Sequence, residues 1–236
     1  MKQQQILALI KKELRETVRS SPLPILLSPG LAVAMQFLML RRLEREGAGI
    51  LAGLGVNEAA AASLMFTGPV VIPFLAMSMM QRRFIREQLL GSLVPVLCTG
   101  VRIGDIWLAK VLSSFLVGYG AALVALAANT VLIKLYLEEA VVWSGALLAV
   151  VLVVSPMGCL MVVGVMGLLV FAIRTTAFAG FLPLLILMGL QVFWHKLVTR
   201  PVLLSGVYLA VVGAVVTLAL VYQGVNRLSK QYFLKV

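Results

Sequence analysis

Between residues 141 and 173 the chain carries no Asp, Glu, Lys or Arg, and nearly every side chain there is apolar. Roughly 20 such residues in a helix cross the hydrocarbon of a bilayer. Five more segments read as spans, at 23 to 40, 59 to 80, 106 to 133, 178 to 194 and 203 to 222. The third and fourth spans, at 106 to 133 and 141 to 173, are long enough to tilt or to continue past the lipid. Inside a bilayer each backbone N–H and C=O must be paired within the spanning structure, which leaves helices and closed barrels. A barrel strand alternates apolar and polar residues, whereas Leu147 to Val154 is apolar at every position. The expected fold class is an all-α integral membrane protein. Its composition agrees, at 61% hydrophobic and 12% charged, against roughly 45–50% and about 25% in soluble domains.

Basic residues at the ends of the spans set the expected orientation. With the N-terminus inside, the inner segments hold fourteen: Lys2, Lys11, Lys12, Arg15, Arg19, Arg82, Arg83, Arg86, Arg102, Lys110, Arg174, Arg227, Lys230 and Lys235. The outer segments hold six: Arg41, Arg42, Arg45, Lys134, Lys196 and Arg200. Both termini are therefore expected in the cytoplasm of a multi-pass inner (cytoplasmic) membrane protein, with the 41 to 45 cluster as the one discordant group. Residues 1 to 20 are charged throughout, so no cleavable signal peptide is expected. The net charge of +11 is accounted for by anionic lipid headgroups, and no nucleic acid is expected as a partner. Cys98 and Cys159 fall in an inner loop and a span, so no disulfide is expected.

Residues 3 to 20 predict a helix lying on the membrane. Ile6, Leu7, Ile10, Leu14 and Val18 recur at helical spacing, and Lys11, Lys12, Arg15 and Arg19 occupy the other side. The plainer reading is an ordinary juxtamembrane basic segment. Ser20, Ser21, Pro22 and Pro24 predict an elbow into the first span. Pro29, Gly68-Pro69, Pro73, Pro156 and Pro183 lie within spans, where they persist only if neighbouring groups satisfy the freed carbonyls. Ser114, Gly118 and Ala122 form a stripe of small residues at four-residue spacing, as do Gly206, Ala210 and Ala214. Both predict close helix packing.

Charged residues are absent from the middle of every span, and the buried polar inventory expected there is neutral: Gln36, Ser63, Thr67, Ser113, Ser114, Asn129 and Ser155. Ion-coupled carriers place ionisable groups at membrane depth, so proton coupling is disfavoured. The lone histidine, His195, has no Cys or carboxylate cluster beside it, and no metal site is expected. Neither a Gly-x-Ser-x-Gly nucleophile nor a Gly-x-x-x-x-Gly-Lys phosphate loop is present. The chain is expected not to be an enzyme and to hold no cofactor. Energy for uphill transport would come from another chain.

Between the second and third spans lies Glu87-Gln88-Leu89-Leu90-Gly91-Ser92-Leu93-Val94-Pro95-Val96-Leu97-Cys98-Thr99-Gly100-Val101. Ser92 can cap a short helix, Pro95 fits its first turn and Gly100 can end it. Leu93, Val96 and Leu97 then offer an apolar face, which either docks on a partner or rests on lipid.

The N-terminal helix ending in Lys11-Lys12-Glu13-Leu14-Arg15, the six spans, and this loop leading to Ala109-Lys110 resemble permease subunits of type-2 ABC exporters. The family loop reads approximately acidic, Gly-Thr-Leu-Glu, two apolar residues, Ala-Thr-Pro-Val-Ser, then Gly-Lys. Gly91-Ser92-Leu93, Thr99, Val101 and Ala109-Lys110 match it in register. Val94 stands where the family often has an acid, Gly100 replaces the usual Pro, Arg102 replaces a small hydroxyl residue, and Glu87 is further from the Gly than its counterpart. The resemblance implies a single permease domain over 1–236 that works as a homodimer or heterodimer, with two ABC ATPase subunits holding ATP and Mg. It implies a coupling helix at 87–101 bearing Glu87, Gly91, Ser92, Leu93, Val96, Leu97 and Thr99, braced by an interfacial helix bearing Lys11, Lys12, Glu13 and Arg15. It also implies a substrate path near Gln36, Thr67 and Gln191. Alternatives are a haem-export permease of cytochrome c maturation, a six-span substrate-binding subunit of a vitamin importer, and an ion-coupled carrier. The residues do not specify the substrate.

Overall fold

The computed structural model describes residues 2–20, 22–46, 64–65, 67–89, 102–137, 143–172 and 204–227, and among these every regular element is helical. The elements are α1 (Lys2–Ser20), α2 (Pro22–Glu46), α3 (Thr67–Leu89), α4 (Ile103–Leu137), α5 (Gly145–Ala149), a π-helical turn (Val150–Val154), α6 (Ser155–Ala172) and α7 (Leu204–Arg227). Two stretches, Ile103–Tyr136 and Leu147–Leu169, are long and apolar enough to cross a membrane, and the bent pair Leu7–Arg19 with Pro22–Leu38 makes a third if it is one span. The expected third and fourth spans thus fall on the two long helices. The expected second span, 59 to 80, falls on α3, whose apolar part is Thr67–Met80. The helix does not stop there: it runs on through Arg82, Arg83 and Arg86 to Leu89, since no breaker lies between Met80 and Gly91 and charge does not oppose helix once lipid is left behind. The expected sixth span, 203 to 222, falls on α7, whose apolar part, Val211–Arg227, is like that of α3 shorter than the two spanning stretches. The expected fifth span at 178 to 194 and residues 90 to 101 of the expected coupling helix lie outside the described residues.

Contacts fix the helix directions. Thr67 meets Asn129, Ile72 meets Gly118 and Glu87 meets Lys110, so α3 and α4 are antiparallel. Tyr119 meets Leu152 and Trp107 meets Gly167, so α4 is also antiparallel to the rod formed by α5, the π turn and α6. Met161 meets Gly213 and Leu218 meets Gly164, which makes α6 and α7 parallel. One end of the molecule therefore gathers the end of α3, the start of α4 and the ends of α6 and α7. The other gathers the start of α3, the end of α4 and the start of α5, where Leu64, Ile133, Leu147 and Val151 form a small cluster. Phe37 meets Tyr136 edge-on at 6.0 Å, which brings the later half of α2 to that second end.

The main core lies between α3, α4 and α6, where Ile72, Leu75, Met79, Trp107, Val111 and Met166 are buried. Against lipid, apolar burial brings little hydrophobic gain, so close van der Waals packing carries the association. Gly118 shows how close. A Cβ there would lie 3.0 Å from the Ile72 carbonyl oxygen and 3.3 Å from the Ile72 Cα, both backbone atoms. Ser114 and Ala122, one turn to either side, are buried too, so the expected stripe is an internal packing face. In the second stripe, Ala214 is buried and the side chains of Gly206 and Ala210 lie outside the described residues.

The prolines are accommodated group by group. Pro29 sits inside α2 and cannot donate to the carbonyl four residues back, Ile25. The Ser28 hydroxyl donates to that carbonyl at 3.5 Å. Pro156 likewise frees Leu152, whose carbonyl accepts from the Tyr119 hydroxyl at 3.3 Å. Just before Pro156 the helix widens into the π turn, closed by the Ser155 N–H donating to the Val150 carbonyl. π-helical geometry is rare and occurs mostly as such single turns inside α-helices.

Gly118→Ala is expected to destabilise the chain by about 1–3 kcal/mol, because neither backbone can yield without separating α3 from α4. Gly120→Ala, with nothing within 4 Å of the added carbon, is expected to cost nothing and to gain up to about 1 kcal/mol from helix propensity. Thermal unfolding of both variants in detergent checks the contrast.

Candidate functional site

At the end shared by α3, α4, α6 and α7, one lysine joins three helices. The Lys110 Nζ lies 2.6 Å from the Glu87 Oε1 on α3 and 3.2 Å from the Glu13 Oε2 on α1. Its side chain is 3% exposed, that of Glu13 7% and that of Glu87 24%. Lys110, counted from the sequence among the cations at the ends of the spans, is thus enclosed by protein and is not one of the headgroup-facing cations.

Local structure explains how it gets there. Lys110 is seven residues into α4, about 10 Å from the helix start. Its own carbonyl accepts from the Ser113 hydroxyl at 3.0 Å. On α1, the residues Leu9, Glu13 and Thr17 are spaced by four and share one face. Glu13 and Thr17 are buried and Leu9 packs on the core. The Thr17 hydroxyl donates to the Glu13 carbonyl at 2.7 Å, closing that face on itself. Glu87 lies in the last turn of α3, two residues before the end of that helix.

A second set of contacts pins α7 to the same place. The Gly104 N–H, in the first turn of α4 where no intrahelical acceptor exists, donates to the Asn226 Oδ1 at 3.1 Å. The Tyr222 hydroxyl donates to the Asp105 Oδ1 at 2.8 Å. Glycine at 104 leaves room for both partners, since a Cβ there would lie 2.7 Å from the Asn226 Oδ1 and from the Tyr222 ring and would displace those side chains.

Taking an ion from water into a medium of low dielectric costs several kcal/mol, recovered only with close, well-hydrogen-bonded partners. Lys110 has two carboxylates at bonding distance, each from a different helix. The arrangement works as an electrostatic clamp: α1, α3 and α4 cannot separate here without leaving charge unpaired. Among the described residues no group of three or more His, Cys, Asp and Glu could hold a metal ion.

The residues singled out from the sequence divide between these places. Glu87 and Glu13, expected on separate elements, are brought together by Lys110. Lys11, Lys12 and Arg15 are exposed on α1, and Lys12 makes a loose pair with Glu16 at 3.8 Å. Gly91, Ser92, Leu93, Val96, Leu97, Thr99 and Gln191 lie outside the described residues. Gln36 is buried. Thr67 is also buried, at the opposite end, where its hydroxyl accepts from the Asn129 Nδ2 at 3.0 Å. Sequence reasoning missed the joining role of Lys110 and the pairing of Asn226 and Tyr222 with the start of α4. The available signal was Glu13 itself, a carboxylate with Leu9 and Thr17 one turn to either side.

Lys110→Met is expected to destabilise the chain by about 3–5 kcal/mol, because it strands the buried Glu13 carboxylate. Combining it with Glu13→Gln is expected to recover part of that loss. Glu87→Gln is expected to cost less than Glu13→Gln, since Glu87 keeps access to solvent. Equilibrium unfolding of the purified variants in detergent orders them.

No family model and no curated protein matches this chain, so the use made of the clamp rests on the chemistry and placement of its own residues.

Proposed function

We propose that this chain is the membrane-spanning permease subunit of an ATP-driven type-2 ABC exporter, with both termini and the clamped end facing the cytoplasm. The observation that carries the reading is the Glu13–Lys110–Glu87 clamp at the base of the segment between α3 and α4. That segment leaves α3 just after Glu87 and re-enters at Ile103, and the Lys110–Glu87 pair ties its two flanking helices together. A force applied to it is therefore delivered to α1, α3 and α4 as one unit. A coupling helix needs this, since an ATPase drives transport only if its motion reaches the spans without being lost in a loose loop.

The helix directions favour the six-span arrangement. Parallel α6 and α7 fit a reading with one further crossing between them in sequence, for which the apolar composition of 178 to 194 is suited. Basic residues at the clamped end agree with an inner-face assignment. In this reading two permease chains, identical or related, enclose the substrate path near Gln36, Thr67 and Gln191. Two ATPase subunits bind ATP and Mg and press on Leu93, Val96 and Leu97. This chain itself performs no catalysis.

Co-purification with the ATPase encoded beside it tests the proposal. The wild-type chain is expected to capture that ATPase and alter its turnover of ATP, and Gly91→Pro or Leu93→Asp is expected to abolish both effects. Absence of capture by the wild type overturns the exporter reading, and capture that survives both substitutions overturns the placement of the coupling helix.

A further inference from the structure

The outward surface of α1 is divided in a way that its docking on α4 does not use. At about 100° per residue, the helix presents three strips. Leu9, Glu13 and Thr17 face the protein. Beside them run Leu14, half-buried, and Leu7 and Val18, which are 66% and 52% exposed. Next come Lys11, Arg15 and Arg19 at four-residue spacing, all exposed. A helix surrounded by water would gain nothing from leaving Leu7 and Val18 uncovered beside a row of cations. A helix at a membrane surface gains from both strips, burying the apolar one among acyl chains and holding the cations at headgroup level.

The angle to α2 puts α1 at that depth. The axes of Leu7–Arg19 and Pro22–Leu38 differ by 75°, and α2 carries Leu23, Leu26, Leu27, Leu31, Met35 and Leu38 exposed along its length. With α2 entering the bilayer, α1 lies close to the membrane plane.

We infer that the α1 strip of Lys11, Arg15 and Arg19 is a recognition surface for anionic phospholipid headgroups, and that its occupancy seats Glu13 on Lys110. Charge complementarity selects the occupant, since three exposed cations in a row match phosphate-bearing lipids with net negative charge and gain little from zwitterionic ones. The consequence reaches the clamp, because α1 supplies one of the two carboxylates around Lys110. The inference requires only that the chain sits in a membrane and is independent of the exporter reading.

The full chain in nanodiscs of phosphatidylcholine, with and without phosphatidylglycerol, tests this by amide hydrogen exchange. Exchange across Leu9 to Val18 is expected to slow roughly fivefold or more with the anionic lipid, the weight of about one surface-held cation, and high salt is expected to reverse the effect. The triple variant Lys11→Gln, Arg15→Gln and Arg19→Gln is expected to lose the lipid dependence while α4 amides keep wild-type protection. Equal exchange of the wild type in both lipids overturns the proposal, as does a lipid effect that survives high salt or the triple substitution. Should the variant fail to fold, as unprotected α4 amides would reveal, the wild-type lipid and salt arms decide alone. Failure of ATPase capture leaves these outcomes unchanged.

Discussion

The buried ammonium of Lys110 organises one end of this molecule. A lysine with 3% of its side chain exposed is tolerable only if acceptors surround it, and the nearest come from α1 and α3, not from its own helix. The desolvation penalty thus becomes a constraint on tertiary structure: the N-terminal helix must dock where Glu13 can reach, and α3 must continue past its apolar part until Glu87 arrives. Replacing all the members of such a cluster together with apolar residues of equal volume can be neutral for stability, whereas removing one of them is not. What the ionic version provides is definition, since a carboxylate and an ammonium meet in one register, while apolar helices in lipid slide with little penalty.

The rest of the bundle is held by other means. Lys110 and Asn129 are separated by about 28 Å of helix, close to the roughly 30 Å hydrocarbon thickness of a bilayer. The ion clamp and the Asn129–Thr67 hydrogen bond thus mark the two ends of a stretch in which α3 and α4 meet mainly through apolar side chains and the Gly118 approach. Polar contacts set register at the ends, and packing closes the middle. Pro29 and Pro156 fit the same scheme, their freed carbonyls being met by a nearby hydroxyl, from Ser28 on the same helix and from Tyr119 across the bundle.

Placed in a membrane, α1 connects three environments at once. Its protein-facing strip carries Glu13, its apolar strip meets acyl chains and its cationic strip meets headgroups. A push on the segment after Glu87 and a change of charge at the lipid surface would converge on Lys110 from opposite sides, α3 carrying one and α1 the other. In the proposed transporter the clamp is where those two influences are compared.

Much of the fold was legible in the residues alone. The uncharged run from 141 to 173, the elbow at Ser20 to Pro24, the stripe of Ser114, Gly118 and Ala122 and the long third span follow from local composition, because lipid leaves a chain few ways to pair its backbone. The amphipathic character of α1 was legible too, though not which face it buries. The sequence by itself determined an all-helical chain with apolar helices of spanning length and its charges at their ends. Only the tertiary structure decided that Lys110 is enclosed, that Glu13 faces the protein and not the headgroups, and that Asn226 caps the first turn of α4 across 122 residues of chain. Hydropathy is a sum over neighbours along the chain, whereas a buried ion is satisfied by neighbours in space.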